Sequence, residues 1–356
     1  MRICFVTSTL ISGGSERVMS LLANRFAEES YDVEIININK HIVFYPIDSR
    51  INLRFAEDEV GTSVFKKLLW LRRYIKQTQP DVVVPFMEAV YCFTLIALIG
   101  CKVPVISSER IDPRKSPFLR NILRRIILPL TDWLVVQTQD IKKFYPRFIQ
   151  KKTSIIYNPV SDQVFHLPEV EKEDVVISVG KLDDQKNHAL LINAFSKVAQ
   201  DFPSWKLIIY GEGPRRQSLQ LTIDNLQLTN RVLLPGRSEH VIEEMNKSKI
   251  FAFSSNYEGM SNAILEAVCV GLPVVTTNVS GAEELVKDGG YVVPIKSEEH
   301  LVQAMRSLMN DNAHRKEMGE KNKTRAFDYK IDRIYREWVE VINNIVKNHG
   351  RTNKKV

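Results

Sequence analysis

The chain has 356 residues, 44% of them hydrophobic and 26% charged, which is ordinary for a soluble protein, enough to bury a sizeable core and too long for one ordinary domain. Its four cysteines, Cys4, Cys92, Cys101 and Cys269, form no C-x-x-C pair, which argues against a zinc site and suits buried thiols in a reducing compartment. The formal net charge of +7 is unevenly held, with 23 Lys and Arg against 15 Asp and Glu over residues 1–160 but 26 against 27 over 161–356, so an anionic partner (lipid headgroups, nucleic acid or a phosphorylated substrate) is expected at the N-terminal half.

In chain order, short β-branched runs alternate with amphipathic stretches. Residues 3–8 read as a strand rather than a leader. They are followed by Gly13-Gly14 and a helix over 16–28, then a strand over 33–38, a helix over 64–77 and a strand over 82–86. The next helix, over 91–99, lies in the longest apolar run. That run, 89–100, has twelve residues, against about 20 for a bilayer span. The expected location is therefore the cytoplasm, peripheral on the inner face of the cell membrane. A strand over 105–107, a basic helix over 117–128 and strands over 133–137 and 153–156 complete the first half. Residues 158–174, with Asn158-Pro159, Pro168 and a charged run, read as a linker. The pattern then restarts, with strands over 175–179, 206–210, 232–234, 250–254 and 274–277 and helices over 189–200, 214–225, 241–247, 262–269 and 301–310. A long helix over 329–346 closes the series. The fold class is α/β: two Rossmann-like, doubly wound domains with helices on both faces of parallel sheets, facing each other across a cleft. They are expected over 1–160 and 161–330, with a C-terminal helix over 331–347 packing back on the first and a flexible tail over 348–356. Ligands are expected at the carboxyl ends of the strands.

Residues 110–152 hold eleven basic and three acidic side chains. Arg114, Lys115, Arg120, Arg124 and Arg125 flank Phe118, Leu119, Ile122, Leu123, Ile126 and Ile127. This helix reads as a membrane-surface element, its apolar side packed on the sheet and its basic side facing anionic lipid. The alternative is an ordinary helix with a core face and a solvated basic face. Phe65, Leu68, Leu69 and Leu71, near Lys66, Lys67, Arg72 and Arg73, add to the patch. It lacks interleaved aromatics and any nucleic-acid motif, so no nucleic acid is expected as partner.

The most informative stretch is Glu258-Gly-Met-Ser-Asn-Ala-Ile-Leu-Glu266, followed by Gly271-Leu-Pro-Val-Val275. A strand ends in a polar loop here, and Ser261 or Asn262 is a good N-cap for the helix that follows. Glu266 falls one turn inside that helix, on the face of Asn262. Gly259 lets backbone approach a ligand, and the N–H groups of Met260, Ser261 and Asn262 make a ready seat for a diphosphate or a sugar.

This segment resembles the E-x7-E signature of retaining glycosyltransferases of the GT-B fold, specifically glycosyltransferase family 4, and the resemblance covers nearly the whole chain. Ser12-Gly-Gly-Ser-Glu-Arg17 is similar to the family's glycine loop, Ser178-Val-Gly-Lys-Leu-Asp-Asp-Gln-Lys-Asn187 to its diphosphate loop, and Gly211-Glu-Gly-Pro214 and Gly281-Ala-Glu-Glu284 also match. Within the family, the chain resembles bacterial N-acetylgalactosaminyl transferases that extend polyprenyl-diphosphate-linked glycans. The resemblance implies a UDP-sugar donor, a glycan or polyprenyl-diphosphate-linked acceptor, and retention of anomeric configuration. It implies that Glu258 contacts the transferred sugar, that Glu266 binds both ribose hydroxyls, and that Lys181 and Lys186, beyond Gly180, hold the diphosphate. Where many relatives carry Arg, this chain has Lys181, a point charge without a bidentate fork. Gly236 and Arg237 are expected beside the base, and Gly13 and Gly14 let the first domain's loop close over the phosphates. No Asp-x-Asp occurs and the side chains of Asp183-Asp184 diverge, so a metal-independent site with no cofactor is expected. At Ser107-Ser-Glu-Arg110 many relatives place a histidine near the acceptor. Here Glu109 and Arg110 are the acceptor-side residues. The alternatives are a nucleotide-sugar epimerase on the same fold and a non-catalytic basic binding subunit. The second would be marked by loss of Glu258, Glu266 or Lys186, and all three are present.

Overall fold

The computed structural model describes the backbone of residues 1–353 and the side chains of residues 1–350. The chain divides into two units, Met1–Pro159 with the segment from Ile331 onward, and Val160–Lys330.

The first unit carries seven strands among the described residues: β1 (Arg2–Thr7), β2 (Asp32–Asn37), β3 (Asn52–Phe55), β4 (Val82–Pro85), β5 (Ile106–Ser108), β6 (Trp133–Val136) and β7 (Thr153–Ile155). They pair in the orders β3-β2-β1-β4 and β5-β6-β7, all in parallel. Parallel bridges Val83–Val105 and Phe86–Ser108 join the two sheets. A parallel sheet is covered on both faces, so its central strands read as unbroken apolar runs. Ile3, Cys4, Phe5 and Val6 are all fully buried. The final helix, Ile331–Asn353, gives Ile334, Trp338 and Ile342 to the same core as Phe5 and Phe26, and Trp338 stacks on Phe86 at 6.1 Å. It runs past Val346, so the start of the expected tail at Asn348 is helical. The end of that tail, 354–356, lies outside the described residues.

The second unit has β8 (Glu173–Val179), β9 (Lys206–Tyr210), β10 (Val232–Gly236), β11 (Ser248–Phe253), β12 (Val274–Thr277) and β13 (Gly290–Val293), in the order β10-β9-β8-β11-β12-β13. The winding reverses between β8 and β11. At such a switch point the loops leaving the two carboxyl ends part and leave a crevice. Of the residues expected to bind the donor, Gly180, with Lys181 and Lys186, lies in the loop leaving β8, and Met260 and Ser261, with Glu258, in the loop leaving β11; Asn262 and Glu266 belong to the helix that follows, Gly236 and Arg237 lie at the end of β10, and Gly13 and Gly14 belong to the first unit. Helices His188–Ala199 and Glu298–Asn310 share a core with Leu207 and Ile209. The helix Asn312–Ala326 shows no apolar stripe in the sequence. It packs through Met318, Gly319, Asn322 and Ala326, and Asn322 Nδ2 donates to the carbonyls of Leu272 (2.6 Å) and Gly289 (2.8 Å). The crossing between units falls at Pro159/Val160. A short 3-10 turn, Asp162–His166, follows, so the stretch read as linker is partly structured.

Candidate functional site

The loop after β8 and the loop after β11 are stitched together by polar contacts. Asn256 N donates to Gln185 O at 2.7 Å, and Gln185 Nε2 to Tyr257 O at 3.0 Å. Ser254 Oγ donates to the carbonyls of Lys186 and Asn187, both at 3.0 Å, and Ser255 Oγ reaches Gln185 O at 2.9 Å. Thr277 Oγ1, at the end of β12, donates to Ser255 O at 2.6 Å. This stitching brings together two residues 72 positions apart: Lys186 Nζ lies 2.7 Å from Glu258 Oε1. Ser255 Oγ donates to the same oxygen at 2.6 Å, and the ammonium sits 4.9 Å from the centre of the Phe253 ring. Only 17% of the Lys186 side chain and 9% of the Glu258 side chain are exposed. A charge-assisted pair this shielded from water is stronger and better oriented than a surface pair.

The glycines explain how the loop fits. A Cβ on Gly180 would meet Cγ and Cδ of Lys186 at 3.3 Å, so the lysine stem lies across that glycine. Gly211 has φ +150°, and a Cβ there would fall 1.9 Å from Gly180 O. A Cβ on Gly213 would fall 2.4 Å from Leu182 O. The Gly-Glu-Gly motif therefore serves close backbone approach. Gly180 N donates to Tyr210 O and Leu182 N to Glu212 O, both at 3.0 Å. Gly236, at φ +93°, accepts from Gly211 N at 2.8 Å, and Arg237 follows it in an exposed position.

Ser261, not Asn262, is the cap of helix Asn262–Val270, its side chain accepting from Ile264 N. Met260, Ser261 and Glu266 are buried beside it, and Gly271 closes the helix in the left-handed region at φ 81°. Lys181 stands apart. Its side chain is 65% exposed and its Nζ lies 3.8 Å from Asp183 Oδ2, so the two lysines do not converge in this structure. Asp183 turns inward to accept from Lys186 N at 3.1 Å, while Asp184 turns out to Arg215 at 2.7 Å. Among the described residues no group of three or more His, Cys, Asp or Glu could hold a metal ion. Sequence reasoning missed Ser255, Phe253 and His188. His188 is buried, and burial, with the Lys186 charge, lowers its pKa to about 4, so its imidazole is neutral beside the lysine.

In the first unit, Gly13 is extended (φ −155°, ψ 161°) and precedes helix Gly14–Glu28. A Cβ there would strike Glu16 Oε2 at 2.3 Å. That carboxylate also accepts from Ser15 Oγ at 2.6 Å. Glu109 has no exposed surface. It accepts from Tyr91 Oη (2.9 Å) and Tyr145 Oη (2.8 Å), and burial raises its pKa. Glu109, expected on the acceptor side, thus has no surface open to an acceptor in this structure. Arg110 is 7% exposed, with Nη1 on Asn158 Oδ1 at 2.8 Å and the guanidinium 4.4 Å over Phe86. Burial lowers its pKa to about 9.

The basic helix, Phe118–Ile127, is turned opposite to expectation. Most of its apolar side does not pack on the sheet: Phe118 and Leu119 are each 78% exposed and Ile126 65%, whereas Ile127 at its end packs on the core and Arg124 points inward. Lys67 is buried as well, with Nζ 2.9 Å from Glu57 Oε2 and 2.8 Å from Asn39 Oδ1. In both cases the cation turns inward to acid or amide partners, the fully buried Glu109 for Arg124 and the half-buried Glu57 and Asn39 for Lys67. Among the described residues no helix is long and apolar enough to cross a membrane.

Residues 12–164 match the family described as Glycosyltransferase Family 4, and residues 160–325 match Glycosyl transferases group 1. A Campylobacter jejuni protein is 30% identical over 97% of this chain and 99% of its own length. Its name describes an α-1,4-N-acetyl-D-galactosaminyltransferase acting on a GalNAc-containing diphospho-undecaprenol. A second protein of that organism, an N-acetylgalactosaminyltransferase also named for a diphospho-undecaprenol substrate, is 28% identical over 92% of this chain and 96% of its length. Among solved structures, Staphylococcus aureus TarM superposes with TM-score 0.79 at 13% identity, covering 96% of this chain and 99% of that one. Anabaena HepE in complex with UDP superposes with TM-score 0.78 at 17% identity, covering 97% and 100%. These likenesses place the fold in the GT-B class.

Proposed function

This chain belongs to glycosyltransferase family 4, and we propose that it moves an N-acetylhexosamine of the GalNAc type from a UDP-sugar to a glycan carried on a polyprenyl diphosphate, in the assembly of a surface polysaccharide or glycoprotein glycan. The observation that carries this reading is the shielded Lys186–Glu258 pair at the switch point of the second unit. The names of the Campylobacter relatives and the UDP-bound neighbour support the donor and acceptor classes.

In this reading the diphosphate lies against the N–H groups at the start of helix Asn262–Val270, with Lys186 beside it and Lys181 swinging in from solvent. As the bond to the anomeric carbon breaks, negative charge grows on the leaving phosphate. Preorganised cations and N–H groups stabilise it without a bridging metal. Glu266 takes the ribose hydroxyls, which suits a carboxylate with two acceptor oxygens. Glu258, held by Lys186 and Ser255, faces the sugar. Gly236 and Arg237 lie toward the base. Family membership supports retention of configuration.

The first unit serves the acceptor and the membrane, with Gly13, Gly14 and Arg110 on its ligand side. The helix Phe118–Ile127 lies on an anionic bilayer at the inner face of the cell membrane. Its exposed apolar side chains enter the headgroup boundary, and each exposed Lys or Arg contributes about 1 kcal/mol. A thermal-shift panel of nucleotide sugars tests the donor assignment. UDP-N-acetylhexosamines should stabilise most, by about 2.7 kcal/mol at 100 times Kd. A flat response to every UDP compound would refute it.

A further inference from the structure

The helix Phe118–Ile127 is unusual in what holds it. Among its described residues Arg124 alone is buried, at 1% exposure, whereas Phe118, Leu119, Ile122, Leu123 and Ile126 are between 41% and 78% exposed. A soluble helix normally docks through its apolar stripe and leaves its charges in water. Here the roles are exchanged. Arg124 Nη2 lies 2.6 Å from Glu88 Oε2 and 2.9 Å from Ser116 Oγ. Its Nε lies 3.0 Å from Tyr91 Oη and 3.4 Å from Glu109 Oε2. Its Nη1 donates to Pro113 O at 3.3 Å and to Asn121 Oδ1. Each guanidinium nitrogen has a partner, and the two carboxylates come from different parts of the first unit: Glu88 from helix Glu88–Ala97 and Glu109 from the end of β5. The planar fork of arginine suits such a multi-point dock, and a lysine ammonium does not reproduce it.

We propose that Arg124 is a positioning residue that docks this helix through Glu88 and Glu109, so that Phe118, Leu119, Ile122, Leu123 and Ile126 stay free for an anionic lipid surface. A helix docked by apolar packing could not offer the same side chains to a bilayer, and the ionic dock separates the two jobs. Charge selects the occupant. Residues 113–131 contain no Asp and no Glu, and Lys115, Arg120 and Arg125 are exposed around the apolar side. A contiguous exposed apolar face rimmed by cations marks a partner surface rather than ordinary scatter. The inference rests on the membrane part of the reading above.

Sedimentation with phosphatidylglycerol–phosphatidylcholine vesicles tests it, with circular-dichroism melting of the same samples as a check on folding of the first unit and UDP affinity as a check on the second. The double variant Leu119→Asp/Ile122→Asp should bind vesicles at least about tenfold more weakly, because it puts charge on the inserting side. Arg124→Met should lose as much, with UDP affinity unchanged because that site belongs to the other unit. Arg124→Lys, which keeps the charge and is the better-folding variant, should recover part of the vesicle binding but not all of it. Wild-type vesicle binding by both Arg124→Met and Arg124→Lys, while the surface double variant loses it, overturns the role of Arg124 alone. Wild-type binding by the surface double variant overturns the membrane reading and this inference with it.

Discussion

Glu258→Gln is expected to slow sugar transfer by about 100- to 1000-fold while leaving UDP affinity nearly unchanged. The amide is the same size and can still accept from Ser255 Oγ and Lys186 Nζ, which lie 2.6 and 2.7 Å from Oε1. The loops therefore stay stitched, and what is lost is the negative charge. A sugar parting from its leaving group gains oxocarbenium character, and a carboxylate facing it stabilises the transition state more than the ground state. UDP carries no sugar, so its binding does not depend on that charge. Initial rates at saturating donor, set beside UDP titration of the same variant, separate the two quantities. Equal losses in rate and in UDP affinity would assign Glu258 to nucleotide binding instead.

Lys186→Met should lower transfer by a comparable factor, and UDP affinity by about tenfold or more, since a cation next to a developing phosphate charge is lost. It also has a cost in stability that a surface lysine would not have. Removing one member of a buried pair leaves the other charge uncompensated, by roughly 3–5 kcal/mol for a fully buried pair. With 17% and 9% of the two side chains exposed, about 2 kcal/mol is a fair expectation after allowing for solvent screening. The double variant Lys186→Met/Glu258→Gln removes the stranded charge. It should melt at a higher temperature than Lys186→Met alone while remaining inactive, the non-additivity expected of residues in direct contact. A double variant whose melting temperature falls by the sum of the two single effects would show that the pair does not act as a unit.

Much of this was legible before any coordinates. Unbroken apolar runs such as Ile3-Cys-Phe-Val6 and Val82-Val-Val-Pro85 announce buried parallel strands. The order of strand, glycine, cap and helix around Ser261 fixed where the helix begins. What the sequence hid has particular causes. β3 (Asn-Leu-Arg-Phe) and β13 (Gly-Tyr-Val-Val) are four-residue edge strands, too short and too mixed to stand out. The helix Asn312–Ala326 packs through one methionine with a glycine, an asparagine and an alanine, which leave no apolar stripe. The orientation of helix Phe118–Ile127 was reversed because an amphipathic pattern shows two sides without saying which is buried. Arg124 goes inward for Glu88, 36 residues earlier, and Glu109, partners that only the folded sheet brings near. The family resemblance pointed to Glu258 and Lys186 separately. That they meet depends on β8 and β11 being neighbours, and that Ser255 joins them depends on the same adjacency.

The proposed donor site rests on the turn over residues 257–267 and its two acids, Glu258 and Glu266. Isothermal titration of UDP into wild type and Glu266→Ala tests it most directly. Loss of the charged acceptor for the ribose hydroxyls should weaken binding by about 1.5–3 kcal/mol, or roughly 10- to 150-fold. Identical UDP affinity in the two proteins would contradict the assignment of this turn as the donor site.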